Sequence, residues 1–278
     1  MFKLLDGKHL ASKIRLDLKN KVSEENLKPN LAVIMCGDNE ASNVYVNIKS
    51  RACNEVGVDF EEYRLGNNVT ENQLLELIDN LNKDKDVNGI LVQYPIPKNF
   101  DLIKVASKIA PEKDVDGFNP YNIGLLNIGN PHFIPCTPLG IMKLFEYYNI
   151  DLEGKKAVII GRSNVVGKPM AECLLNKNAT VTVCHSKTKN LKEELLQADI
   201  IIAAAGRKNI VTSDMVKDGA VVIDVGTNRD ENGVLCGDVD FENVKDKSSF
   251  ITPNPGGVGP MTVAMLCSNV IDAYIEQN

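Results

Sequence analysis

The sequence predicts an α/β protein of two domains, and three observations predict it. Short apolar runs alternate with helical patterns from end to end, the pattern of parallel strands joined by crossover helices. At 278 residues the chain is long enough for two cores, and 44% hydrophobic content allows each to be filled. Residues 111–136, with four prolines and three glycines, separate one run of this pattern from the next.

In the first half, strands are expected at residues 31–36, 60–65 and 89–93, with helices near 41–56, 71–81 and 102–109. An irregular segment as long as 111–136 is either a linker or a binding loop. Its apolar residues, among them Val115, Phe118, Leu126 and Phe133, argue against disorder, so it reads as ordered and lining a cleft. Thr137 then caps a helix through Tyr148, with Pro138 at its first position. Strands follow at 157–160, 180–184, 200–203, 221–225 and 250–252, and a last helix at 261–276 is expected to pack back on the first domain. The domains are therefore 1–138, completed by 260–278, and 139–259.

Charge and composition exclude several classes. A net charge of −6 without a basic block argues against nucleic acid or an anionic membrane as partner. Seven cysteines with no C-x-x-C pair, and histidines scattered at His9, His132 and His185, fit neither a disulfide framework nor a metal site. The first residues hold no apolar core long enough for a signal peptide, and no stretch approaches about twenty apolar residues. A cytoplasmic location is the expectation.

Chemistry begins where residues 156–160 open into Gly161-Arg162-Ser163-Asn-Val-Val-Gly167. Such a strand-turn-helix joint holds a dinucleotide's pyrophosphate, with Ser163 here in the second glycine's place and Pro169 suited to the first helical turn. The next strand ends in His185-Ser186-Lys187, where an NAD site places an acid on the ribose 2′-hydroxyl. With no acid there, and with Arg162 in the turn, a 2′-phosphate is attracted rather than repelled. The second half reads as a Rossmann-like NADP-binding domain, with a cleft between it and the first.

In the first half, Lys49 is the most telling residue. At about 100° per residue, taking Val44 as zero, the apolar positions of its helix fill one arc from Ile48 at roughly 40° to Val46 at roughly 200°. Lys49 lands at roughly 140°, inside that arc, and Tyr45 lies one turn earlier. Either the ammonium snorkels to water, or it sits in a partly apolar cleft where desolvation suits it to proton transfer. A Tyr-x-x-x-Lys pair also marks short-chain dehydrogenases, but there the nucleotide turn precedes the pair, and here it follows. Gln93 ends an apolar strand, where α/β sheets place ligand contacts or simply cap a turn. Asp114 and Asp116 form a turn, an acidic loop short of a full calcium ligand set, or a contact for a nitrogen-rich heterocycle.

Seven segments in order carry a resemblance: Tyr45-Val-Asn-Ile-Lys49, Leu91-Val-Gln-Tyr-Pro95, Pro111-Glu-Lys-Asp-Val-Asp-Gly117, Pro135-Cys-Thr-Pro138, Gly161-Arg-Ser163, Cys184-His-Ser-Lys-Thr188 and Pro255-Gly-Gly-Val-Gly-Pro-Met-Thr262. Over essentially its whole length the chain resembles the bifunctional methylenetetrahydrofolate dehydrogenase/cyclohydrolase family. The resemblance implies that NADP takes hydride from 5,10-methylenetetrahydrofolate and that the methenyl product is hydrolysed to 10-formyltetrahydrofolate in the same pocket. It makes Lys49 the proton shuttle, with Gln93 bonded to it, Tyr45 near the pterin, Asp116 on the pterin's amino edge, and Pro255 and Gly256 among the substrate contacts. It places Gly161, Arg162 and Ser163 at the phosphates, Ser186 near the 2′-phosphate and Thr227 near the nicotinamide half, and it implies a homodimer through the second domain. Thr227 stands where the family usually has isoleucine, and Asn254 where it has a small apolar residue. A cyclohydrolase with a weakened dehydrogenase site is the competing expectation.

Overall fold

The computed structural model describes residues 2–278. In chain order the first elements are β1 (Lys3–Leu4), α1 (Gly7–Glu24), β2 (Asn30–Cys36), α2 (Glu40–Val56), β3 (Asp59–Leu65), α3 (Glu71–Lys83), β4 (Gly89–Gln93), α4 (Leu102–Lys108), α5 (Pro120–Asn127) and α6 (Cys136–Tyr147). There follow β5 (Lys156–Ile160), α7 (Gly167–Leu175), β6 (Thr180–Cys184), α8 (Leu191–Leu196), β7 (Ile200–Ala203), β8 (Val221–Asp224), β9 (Asn228–Arg229), β10 (Leu235–Cys236), α9 (Phe241–Val244), β11 (Phe250–Ile251) and α10 (Val258–Gln277). They form two units. One comprises Ser12–Cys136 and Val263–Asn278; the other comprises Thr137–Thr262 with the amino-terminal segment ending at Ala11.

The first unit is built on a parallel sheet in the order β3-β2-β4. Its central strand β2 is buried along its whole length, which is why it reads as an unbroken apolar run rather than an alternation. The edge strand β3 is only partly covered, with Phe60, Tyr63 and Leu65 half-buried among exposed charges. Leu74, Ile78 and Leu81 of α3 and Val105 of α4 pack with Ile34 and Ile90 into one core. Thr70 and Gln73 close a capping box at the start of α3. At its end the buried Lys113 ammonium donates to the Leu81 and Asp84 carbonyls.

The other unit carries a six-stranded parallel sheet in the order β1-β11-β8-β7-β5-β6. Val158, Ile160, Ile201, Ala203 and Val222 fill its core. Because every strand runs the same way, the loops after β5, β6, β7, β8 and β11 all leave one edge, where sheets of this type bind ligands.

Several expectations change. The helix expected to start at Pro138 after a Thr137 cap begins two residues earlier, at Cys136, and the Thr137 hydroxyl instead meets that of Thr262 at 2.9 Å. The last helix begins at Val258 rather than Met261. The segment 111–136 contains a regular helix, α5, started by Asn119, whose side chain accepts from Tyr121 N, and by Pro120 at the first helical position. Helix α1 was not expected; the Asp6 carboxylate accepts from His9 N at its start, and Leu10, Ala11 and Val22 bury one stripe of it. Helix α10 is long and apolar enough to cross a membrane, contrary to the expectation that no stretch comes near that length, but 61% of its most apolar 18-residue stretch is buried inside the protein.

Candidate active site

Helix α2 sets the first group of candidates. Asn39 caps it by accepting from Ser42 N, and Gly57, at φ 90°, ends it in the left-handed region that favours glycine. Its buried face is narrower than the apolar arc of the sequence. Ser42, Val46, Ala52, Cys53 and Val56 are buried, whereas Val44, Tyr45 and Ile48 are 56%, 43% and 44% exposed. A packed helix covers a stripe little more than about 100° wide, so the margin of a wider apolar arc stays in solvent. Lys49 lies at the middle of the buried stripe and is itself half-buried.

The Lys49 ammonium donates to Gln93 Oε1 at 2.9 Å. Gln93 is positioned by the sheet: it is the last residue of β4, paired with Met35, and its Nε2 donates to the Tyr94 carbonyl at 2.8 Å. Both ends of the amide are thereby used, which fixes its oxygen toward the lysine. The Ser42 hydroxyl donates to the same Tyr94 carbonyl at 3.3 Å. Ser42 also lies in the Lys49 arc, at roughly 160°, and a polar residue there was the overlooked signal.

Asp114 and Asp116 separate sharply. Asp114, 1% exposed, accepts from Phe118 N, Asn119 N and Asn122 Nδ2, and so holds the turn into α5. Burial pushes its carboxyl up to about 7, against those three donors. Asp116 is half-buried and faces side chains. Burial raises its carboxyl, opposed by the positive charge of Lys49 and by the Cys136 thiol. That thiol has one hydrogen and two acceptors in reach, Asp116 and the Val115 carbonyl at 3.4 Å. Burial and the charges of Asp116 and Asp114 push the Tyr94 phenol up to about 12. Lys49, Gln93, Asp116, Cys136 and Tyr94 thus form one electrostatic cluster, while Tyr45 stands exposed one turn away on α2. Cys136 and Tyr94 were legible only as members of motifs.

Pro255 and Gly256 belong to the other unit, at the edge of the six-stranded sheet. Gly256 has φ 108°, and its carbonyl accepts from Lys8 N at 2.8 Å. On the same edge, β5 and β6 pair Ile160 with Cys184, so Arg162 and Ser186 each lie two residues beyond paired strand ends, and both are exposed. Gly161 N donates to the Cys184 carbonyl, and a Cβ on Gly161 would lie 2.2 Å from the Ala204 carbonyl, so no side chain fits. The Ser163 hydroxyl accepts from Val166 N and Gly167 N, which closes the turn where a glycine would leave it open. No carboxylate follows β6; His185, Ser186 and Lys187 occupy that turn, with Thr188 Oγ1 accepting from His185 N. These donors and cations fit a dinucleotide with a 2′-phosphate.

The remaining loops of this edge are tied by two buried aspartates. Asp238 accepts from Ala205 N, Gly206 N, Arg207 N and Asn228 Nδ2 at 2.6 to 3.0 Å. Asp224 accepts from Gly226 N, Asp238 N and Val239 N. The carboxylates lie so close that a Cβ on Gly226 would sit 2.3 Å from Asp238 Oδ1, and one on Gly237 1.8 Å from Asp224 Oδ2. Thr227, between Gly226 and Asn228, is exposed, and the Asn254 amide donates to the Gly226 carbonyl at 2.6 Å. Asn254 therefore supports the loop that carries Thr227.

Comparison with known proteins gives a consistent picture. Residues 5–116 match the family model of the tetrahydrofolate dehydrogenase/cyclohydrolase catalytic domain, and residues 135–278 match that of its NAD(P)-binding domain. The chain is 55% identical over 271 residues to the bifunctional protein FolD of Campylobacter hominis, covering 96% of this chain and 95% of that one. The crystal structure of the bifunctional enzyme FolD, methylenetetrahydrofolate dehydrogenase/cyclohydrolase, from Campylobacter jejuni superposes with a TM-score of 0.98 at 53% identity over the whole of both chains. The Trypanosoma brucei enzyme, solved with NADP cofactor and inhibitor, has a TM-score of 0.95 at 36% identity, covering 99% of this chain and 98% of that one.

Proposed function

Because the chain belongs to the tetrahydrofolate dehydrogenase/cyclohydrolase family, we propose that it oxidises 5,10-methylenetetrahydrofolate with NADP and hydrolyses the resulting methenyl form to 10-formyltetrahydrofolate. The bifunctional relatives favour both activities over hydrolysis alone.

NADP, when bound, supplies the hydride acceptor. The hydride leaves the methylene carbon as a neighbouring nitrogen's lone pair forms a C=N bond, so this half of the reaction needs alignment and no acid or base from the protein. Gly161 and Ser163 bind the pyrophosphate, Arg162 and Ser186 the 2′-phosphate, and Thr227 the nicotinamide half. Hydrolysis differs. Water adds to the methenyl carbon and must lose a proton, and the C–N bond that then breaks leaves a nitrogen that must gain one. Lys49 carries that proton, with Gln93 holding the amine in one direction. Asp116 accepts from the pterin's amino edge, Tyr45 stacks against the folate, and the backbone of Pro255 and Gly256 approaches the substrate.

The observation that carries this reading is the 2.9 Å contact between Lys49 and Gln93, on a helix face that is otherwise buried. A lysine serving only solubility has no reason to be bonded there. Two assays test it: methylenetetrahydrofolate with NADP, and methenyltetrahydrofolate alone. Lys49→Met is expected to slow hydrolysis by on the order of a hundredfold or more, while calorimetry finds NADP bound as in the parent. Hydrolysis at the parent rate refutes the assignment. Assembly as a homodimer through the dinucleotide unit, in the cytoplasm and with no nucleic-acid or membrane partner, is part of the same proposal. Its support is the resemblance, the net charge of −6 and the seven free cysteines.

A further inference from the structure

Helix α10 is apolar along its buried face, where Met265, Leu266, Cys267, Val270 and Ile271 are at most 2% exposed. Asn269 interrupts this run at 4% exposure. A buried amide in a helix interior is costly unless its hydrogens are used, and leucine at the same place would pack without that cost. Its side-chain nitrogen has two hydrogens and two carbonyl acceptors: Val115 at 2.8 Å and Ile134 at 3.3 Å. Two carbonyls on that side are met by the NH₂ end of the amide, the only end that can donate to them. The Cys136 sulfur lies 3.7 Å from the same nitrogen and 3.4 Å from the same Val115 carbonyl.

These contacts enclose Asp116. Its preceding carbonyl, that of Val115, is gripped by Asn269. The residue after it, Gly117, has φ 76°, and a Cβ there would lie 2.7 Å from Pro135 N, so it is pressed against the segment that Asn269 also holds through Ile134. The Asp116 peptide is thus fastened on both sides, and one amide, 153 positions later in the chain, ties the two arms together.

We propose that Asn269 is a positioning residue for folate recognition: by bridging the Val115 and Ile134 carbonyls it fixes the backbone from which Asp116 meets the pterin. The inference rests on the reading of Asp116 as the pterin contact. Without the bridge the Asp116 loop keeps its turn, which Asp114 holds, but loses its registration against residues 134–136. Folate binding then falls while the chemistry at Lys49 and the nucleotide turn is untouched.

The experiment compares Asn269→Ala, Asn269→Ser and Asp116→Ala with the parent, each as the full chain. Hydrolysis of methenyltetrahydrofolate is followed without nucleotide, and NADP binding is measured by calorimetry. For Asn269→Ala the expected result is a KM raised about tenfold with kcat changed less than about threefold. NADP affinity stays within about twofold of the parent, as expected for an effect confined to the folate side. An unchanged KM, or NADP binding that falls as far as folate binding, overturns the proposal. Asp116→Ala separates the two claims: if it leaves KM unchanged, the pterin assignment fails; if it raises KM and Asn269→Ala does not, the bridge alone fails. Should the alanine variant not fold, Asn269→Ser decides by the same criteria, since its hydroxyl reaches one carbonyl at most.

Discussion

Each unit carries a pair of aspartates close together in space, and the pairs are used differently. In the dinucleotide unit, Asp224 and Asp238 spend both carboxylates on the protein itself, accepting main-chain N–H groups from the loops after β7 and β8 and from the segment 237–239. In the folate unit, Asp114 does the same for the turn into α5, but Asp116 looks onto Lys49 and Cys136. A buried carboxylate whose oxygens are taken up by backbone donors is part of the fold. One raised by burial and met only by side chains keeps its oxygens off the backbone, which is the arrangement the proposed folate contact requires.

The comparison can be broken most directly at Asp238. Asp238→Asn exchanges a charged acceptor of four hydrogen bonds for an amide that must turn two donors toward donors. It is expected to cost about 3 kcal/mol in denaturant unfolding, with NADP affinity falling in parallel. A fully stable variant that still binds NADP would remove Asp238 from the framework. Asp116→Ala is expected to change stability by less than about 1 kcal/mol. It should weaken folate more than about tenfold in calorimetric titration and leave NADP binding intact. A loss of stability as large as that at Asp238 would erase the distinction between the pairs. On the cation side, Arg162→Ala should weaken NADP about ten- to a hundredfold and NAD far less. Equal losses would mean that Arg162 holds only the shared pyrophosphate.

The last comparison concerns pH. The folded Asp114 carboxyl keeps its proton up to about 7, well above its ordinary 3.8. Between those values the folded chain therefore binds more protons than the unfolded one, and stability falls as pH rises through the window, the reverse of an ion-paired aspartate. Asp114→Asn should flatten that slope in thermal melts from pH 4.5 to 7, an interval chosen to lie within about the titrating range. A slope that persists in the variant belongs to other groups.

Much of the fold was legible because its signals are local. The apolar runs of β2, β4, β5 and β7 mark strands buried on both faces, and Thr70 with Gln73 marks the start of α3. Helix α1 was not legible because its apolar residues are sparse among lysines and other polar residues, and only one side-chain bond, from His9 N to Asp6, marks its start. At the site, Lys49 could be placed from helix geometry alone, since angle along a helix is a property of sequence. Which of Asp114 and Asp116 is taken up by the backbone could not be, because that depends on where the N–H groups of residues 118 and 119 turn. The bridge from Asn269 and the ties to Asp238 join positions far apart in the chain, and no spacing rule reaches them.

The division of the chain makes the unit that holds Lys49 and Asp116 the last to be completed during synthesis. The dinucleotide unit is drawn from residues up to Thr262, whereas the unit holding Lys49 and Asp116 also includes residues 263–278, among them Asn269 and Gln277, whose amide donates to the Asn88 and Glu112 carbonyls. As the chain leaves the ribosome, amino terminus first, the unit whose larger part, Ser12–Cys136, emerges before Thr137–Thr262 is nevertheless the one finished last. A nascent or prematurely ended chain lacking its last sixteen residues, 263–278, has the strands of its dinucleotide sheet but an Asp116 loop without the Asn269 bridge.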